Sequence, residues 1–269
     1  MRTAVEVVAR RGPGGTTVLP VVRSSGQLAV RRTGPVTVHL VATAFGPLGG
    51  DDAQVRLVVE GGASLRVRTV AAAVALPARD GARPSLQRIT AEVAGTLDLQ
   101  PEPTVVAAGA HHRAELRVAL APDGELLVAE QVLLGRAGER PGRWTGTTRI
   151  ERCGRPVLHT TVDLGPGAPA WPTPVAPRAY ASTAHIAPDD APDDAPDDAP
   201  AGARAAPLLA PSCGAAPTDR GAASPGVVTG ADAVRLPLPG GWVATAWGSE
   251  LHRVVAAAVA IERPGGVPA

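Results

Sequence analysis

The sequence contains no lysine; all 26 of its basic residues are arginine. Aromatic rings make up only 2% of it, as four Trp, one Tyr and one Phe. Base stacking needs aromatics interleaved with basic clusters, so this composition excludes an ordinary nucleic-acid surface. The absence of Lys beside abundant Ala, Gly, Pro and Arg is the mark of a GC-rich coding sequence, so single arginines are not read as anion forks, although the side chain can serve as one. The two cysteines, Cys153 and Cys213, lie far apart with no CxxC or Cys–His spacing. That excludes a zinc module and leaves two free thiols in a reducing compartment as the expectation. No apolar run approaches the ~20 residues of a membrane span. The opening MRTAVEVVARRG is broken by Glu6 and by Arg10-Arg11, so it does not read as a signal peptide, and a cytoplasmic location is expected. The patterns GxxxxGK[ST], GxGxxG after a strand, GxSxG and HExxH are all missing. With no catalytic apparatus visible, a binding or scaffold role is expected rather than an enzyme.

What the sequence does have is alternation. In QVRLVVE, Val55, Leu57 and Val59 share one face while Arg56 and Glu60 take the other. SLRVRTV and RAELRVAL repeat the pattern, with Leu65 and Val67, then Leu116, Val118 and Leu120, turned inward. Strand, Gly-turn, strand recurs as VRLVVEGGASLRVRT, ITAEVAGTLDLQ and LRVALAPDGELLVAE, with turn glycines Gly62, Gly95 and Gly124. This predicts a mainly β fold of stacked hairpins in one domain, with a meandering sandwich as the alternative.

The charge is uneven. Residues 1–186 hold 21 Arg against 15 acids, whereas residues 187–226 hold 2 Arg against 7 Asp. The second stretch opens on the repeat APDDAPDDAPDDAP, whose Pro and Asp content cannot build a core. Its aspartates lack the turn glycine and converging ligands of a calcium loop. The expected organisation is a β-rich body at 1–186, a disordered Asp/Pro-rich insertion at 187–226, and a hairpin with an amphipathic helix at 227–269 that packs back on the body. In that helix Ser249 is the expected N-cap, and Leu251, Val254, Val255, Ala258 and Val259 form the apolar stripe.

Few residues offer chemistry. The stretch VLLGRAGERPGRW (132–144) has the Gly and Arg of a phosphate loop but neither the Lys nor the Ser/Thr, and Pro141 opposes a helix start. His111 and His112 are adjacent, so a strand would point them to opposite faces and keep them from sharing a metal. They are weak metal candidates. Asp51-Asp52 sits on a glycine turn, where Asp is common for conformational reasons.

The order of these features is similar to that of the urease accessory protein family UreD, called UreH in some bacteria. The residues that carry the resemblance are Gly49-Gly50-Asp51, Gly62-Ala63 followed by Thr69, Pro101-Glu102-Pro103 followed by Gly109-Ala110, and Leu134-Gly135-Arg136 followed by Gly138-Glu139. The resemblance implies a non-enzymatic factor that joins UreF and the GTPase UreG, docks on the urease apoprotein, and supports GTP-dependent insertion of nickel supplied by UreE. It implies a helically wound β body with a passage for nickel in transit and no permanently bound cofactor. It makes Asp51, Glu139, Arg136 and Thr69 candidates for nickel passage or partner contact, with Gly49, Gly50, Gly135 and Gly138 as motif turns. The other reading of Asp51 and Glu139 is that Asp51 closes its turn and Glu139 pairs with Arg136 or Arg140. Two departures stand out. The segment after Thr69, VAAAVALP, is apolar where a polar passage lining is expected, and the Asp-rich insertion is extra, a loop whose charge would tune docking. A β-rich ligand- or metal-binding module unrelated to urease is the alternative, as is a metal-dependent enzyme built on His111, His112 and Asp51.

Overall fold

The computed structural model describes residues 1–78, 83–169, 176–189 and 231–262. The insertion expected at 187–226 lies outside the described residues apart from its first three, and so does Cys213. Two sheets face each other. The chain enters the first with the hairpin β1 (Arg2–Arg11) and β2 (Thr17–Ser25), and the second with the hairpin β3 (Leu28–Arg32) and β4 (Thr37–Ala42). It then alternates. Strands β5 (Asp52–Val59), β8 (Ser85–Val93), β11 (His111–Leu120) and β13 (Arg143–Arg152) lie in the first sheet; β6 (Ser64–Thr69), β9 (Thr96–Leu99) and β12 (Glu125–Leu134) lie in the second. Successive strands within each sheet run parallel. Each passage through both sheets is therefore one circuit stacked on the last. The short strands β7 (Ala73–Ala75) and β10 (Thr104–Val106) extend the second sheet. Strand β14 (Arg155–Leu164) closes the first by a hairpin from β13, and β15 (Ala179–Ile186), β17 (Gly241–Gly248) and β16 (Ala231–Leu238) complete the second in antiparallel order.

The mainly β, stacked and helically wound architecture is thus present, but the repeating unit differs from the expected hairpin. Strand β5 does not pair with β6, nor β8 with β9, nor β11 with β12; the two halves of each unit belong to opposite sheets and meet across the core. The glycine turns are corners rather than hairpin ends. They bond to one another instead: Ala94 N–H donates to Val59 O at 2.7 Å, Thr96 N–H to Ala63 O at 2.9 Å, and Glu125 N–H to Gly95 O at 2.9 Å. Corners approach so closely that a Cβ on Gly95 would stand 2.1 Å from Ala63 O.

The inward residues read from the alternation are the core. Val55, Leu57, Val59, Leu65, Val67, Val118 and Leu120 are buried, and Leu97, Leu99, Leu126 and Val128 continue their rows. Register stacks like upon like: Leu65 on Leu97 on Leu126 in the second sheet, and Val59 on Val93 on Leu120 in the first. Small aliphatic side chains suffice because each touches neighbours above, below and across. The outward face of the first sheet absorbs much of the arginine: Arg56 bonds Glu6 and Glu92, each at 2.9 Å, and Arg88 bonds Asp52. Exposed pairs of this kind contribute about 0–1 kcal/mol each and mark no ligand site.

The C-terminal elements lie against the body. Strand β17 pairs with β15, and the hairpin read in VRLPLPGGWVATAW is β16–β17. Helix α1 (Leu251–Glu262) covers the outer face of the second sheet, where Val254, Ala257 and Ala258 meet Ala179, Ala181 and Ala246. The expected stripe is rotated slightly: Val259 is exposed and Ala257 takes its place, since the alanine-lined sheet admits a close helix only along its smallest face. Among the described residues no helix is long and apolar enough to cross a membrane.

Corner packing makes a direct prediction. Gly95→Ala should lower stability by about 2 kcal/mol or more, while Gly61→Ala, whose Cβ would meet nothing nearer than 4.0 Å, should change it by less than about 0.5 kcal/mol. Urea unfolding midpoints of the two variants check this, and equal midpoints would refute the corner argument.

Candidate functional site

The second sheet has a hole in it. Strand β12 pairs with β9 along Glu125–Val128 and with β10 along Val132–Leu134, leaving Ala129, Glu130 and Gln131 without a ladder partner on that side. The cause is local. Between β9 and β10 the chain reads Gln100-Pro101-Glu102-Pro103. Proline has no N–H to give to a ladder, so pairing stops for those residues. Between β6 and β7 the chain bulges likewise at 70–72, and Thr69 Oγ1 ties the two bulges by accepting the Glu102 N–H at 2.8 Å. Behind this opening lies a cavity of about 110 Å³ between the sheets, room for several waters. Its walls run from the Thr69–Ala73 rim across to Leu158, Thr160 and Val162 of β14, the edge strand of the first sheet.

Glu130 projects into this space. Along β12 the inward positions are Leu126, Val128, Glu130, Val132 and Leu134, so one carboxyl interrupts an otherwise apolar row. It is half-buried and lines the cavity. Burial without a compensating cation pushes its pKa up to about 7. Beside it in register stand Ser182 of β15 and Thr245 of β17, whose hydroxyls are 3.4 Å apart. Burial, first, and then the Glu130 charge hold the neighbouring Tyr180 phenol above its ordinary pKa. From the first sheet Gln87, Thr148 and Thr160 face the same space, with Thr148 opposite Thr160 in register. One end is closed by Trp144, 1% exposed, whose ring lies 5.4 Å from that of Tyr180. Gly146 makes this possible: a Cβ there would stand 2.2 Å from the indole ring.

The residues singled out from sequence are placed differently. Thr69 lines the opening. Ala71 and Ala73 of the apolar VAAAVALP segment line it too, and the cavity draws its polarity from β12, β13, β14 and β15 instead. Asp51 is buried at 8% exposure but does not line the cavity; it accepts the Leu48 N–H at 2.9 Å and pairs with the N-terminal ammonium of Met1. Burial pushes its carboxyl up, and those bonds with a contact from Gln27 outweigh burial, so its pKa is lowered. Gly49 and Gly50 shape that same turn. Arg136 and Glu139 form a self-contained surface turn. Glu139 Oε2 accepts both the Arg136 N–H and Nε–H at 3.0 Å, and that pairing holds the Glu139 pKa down to about 2. Gly135 has φ +77°, and Arg178 grips the turn from behind through Leu134 O and Glu139 O. Gly138, with φ +74°, completes it. The Leu-Gly-Arg…Gly-Glu motif is thus a locked turn in which Glu139 pairs with Arg136. His111 and His112 point to opposite faces of β11. His111 is half-buried near Thr145, and His112 is buried with Nδ1 2.9 Å from Ser85 Oγ, its pKa lowered to about 4 by burial and, secondarily, by His111. Among the described residues no group of three His, Cys, Asp or Glu side chains is arranged to hold a metal. Cys153 is a free, exposed thiol at the β13–β14 turn.

Sequence reasoning missed Glu130, Gln87, Thr160 and Tyr180. One of the four carries a legible signal. In LLVAEQVLL the period-two apolar face has a glutamate at its centre, which is rare unless the face lines something polar.

Comparison with known proteins gives a consistent result. The family model described as UreD urease accessory protein matches residues 2–263. The chain is 38% identical over 231 residues to the urease accessory protein UreD of Frankia alni, covering 70% of this chain and 77% of that one. It is 39% identical over 193 residues to the UreD of Streptomyces coelicolor, covering 69% and 76%. It is 45% identical over 133 residues to UreD 1 of Saccharopolyspora erythraea, where the match spans about half of each protein, 49% and 52%.

The Glu130 shift carries a sign. Its folded pKa, about 7, lies above the ordinary value, so the folded state holds a proton that the unfolded chain releases. Stability from this group is therefore lost as pH rises from about 4.5 to about 7, by up to about 3 kcal/mol. Glu130→Gln should melt close to wild type at pH 5 and above it at pH 8; a melting-temperature difference that does not change with pH would refute a buried, unpaired carboxyl.

Proposed function

This chain belongs to the UreD family of urease accessory proteins, so its role lies in urease maturation, and from that premise we propose that it is a non-enzymatic scaffold whose cavity conducts nickel toward the urease apoprotein. It works as one part of a complex with UreF and the GTPase UreG, receiving nickel that UreE supplies and holding none permanently. The alternative, a β-rich ligand- or metal-binding module unrelated to urease, is set aside by family membership.

The observation that carries the passage reading is the Glu130 carboxyl turned inward, without a cation partner, in a cavity that opens through the second sheet. A divalent cation entering a space between two apolar cores needs a counter-charge, and Glu130 supplies it. The remaining inward groups, hydroxyls and one amide, accept hydrogen bonds from the ion's water shell without binding the ion tightly enough to stop it. Thr69 keeps the rim open by joining the two bulges. Asp51, Arg136 and Glu139, which lie outside the cavity lining, hold the shape of surface turns that meet partner proteins rather than the ion path.

Co-expression with urease and the other accessory proteins tests this. Glu130→Gln should lower urease activation by about tenfold or more, with the chain still copurifying with UreF. Glu139→Gln, which weakens only the surface turn, should stay within about twofold of wild type. Full activation with Glu130→Gln would remove the cavity from the nickel route.

A further inference from the structure

The donor atoms of the cavity say what kind of ion it admits. Polar side chains turned into it include Gln87, Thr148 and Thr160 from the first sheet and Glu130, Tyr180 and Ser182 from the second; of the other two glutamates in its lining, Glu102 is exposed at the rim and Glu115 pairs with Arg88 and Arg117. Every acceptor among them is oxygen. Among the described residues no thiolate or imidazole lines the space. Cys153 is exposed at a far corner. His112 lies one inward position beyond Ala114 on β11, is bound to Ser85, and is outside the lining. We infer that the cavity selects divalent cations as a class and does not select nickel among them: ions pass largely hydrated, with Glu130 as the inward-facing anionic contact. This rests on the passage reading above and adds that metal identity is decided elsewhere.

The reasoning is chemical. Affinity rises from manganese to nickel along the divalent series, and nitrogen and sulfur ligands exploit that rise most; carboxylate, carbonyl and water suit the harder ions. Carboxylate and neutral hydroxyl oxygens therefore give nickel little advantage over manganese. The volume, about 110 Å³, accommodates an ion with several of its waters, so the protein need not replace the hydration shell. A site that selected nickel would present at least one imidazole to the ion, and that of His112, on the same face of β11 as Ala114, has its Nδ1 engaged.

The test uses the full chain with Mn²⁺ and Ni²⁺ alone. Free Mn²⁺ is followed by electron paramagnetic resonance and Ni²⁺ by competition, in wild type and in Glu130→Gln, so that only the Glu130-dependent component is compared. The two dissociation constants should agree within about tenfold, and both should weaken together when Glu130 is replaced. Ala114→Leu, which fills the cavity and leaves every donor in place, should weaken both ions alike; it serves as the second variant if Glu130→Gln fails to fold. A Glu130-dependent site preferring nickel by more than about tenfold would overturn the inference and leave the passage standing, pointing to His112 as a ligand. Binding of both ions that is insensitive to both substitutions would overturn the passage reading as well.

Discussion

Everything in this molecule depends on how closely one corner of the chain can lie on the next. The circuits stack only because the corner at Gly95 packs directly on the carbonyl of Ala63, and because the corners hydrogen-bond to each other as the strands do. That spacing brings Leu97 over Leu65 and Leu126 over Leu97, and it lets a core of valine, leucine and alanine close without large rings. The shortage of aromatics is thus compatible with a well-buried interior. A core of stacked rows needs side chains of even size more than it needs bulky ones.

The same regularity makes its interruption informative. A ladder that continued from β9 into β10 would seal the second sheet. Pro101 and Pro103 stop it, and the unpaired stretch of β12 carries the one inward carboxyl in that row. The opening and the charge therefore arise at the same register, from two segments separated in sequence. An uncompensated carboxyl costs stability in this position, so packing alone does not account for it. By contrast, the Leu-Gly-Arg…Gly-Glu turn satisfies its own charges, with Arg178 behind it and the Arg136–Glu139 pair across it.

Much of this was legible in the chain. Alternation identified the strands and their inward residues, Val55 through Leu120, because a half-buried strand must place apolar groups at every second position. The terminal hairpin and helix were legible for similar reasons. The difference between a hairpin and a corner was not. Both read as strand, glycine, strand, and only the partner strand, some thirty residues away in each circuit, decides whether the two halves pair or face each other (about the spacing of the turn glycines). Glu130 was legible in principle as the polar break in an apolar row, but Gln87, Thr160 and Tyr180 resemble ordinary strand residues until their faces are known.

Taken alone, the sequence determined the strand content, the inward face of each strand, the family resemblance carried by its turn motifs, and the C-terminal hairpin and helix. These depend on local periodicity and local turn chemistry. The tertiary structure decided which strands are neighbours, where the ladder fails, and which polar groups share one space. Those depend on register between distant segments, and no local pattern records it: Glu130, Thr69 and Thr160 become one site only when three circuits are stacked.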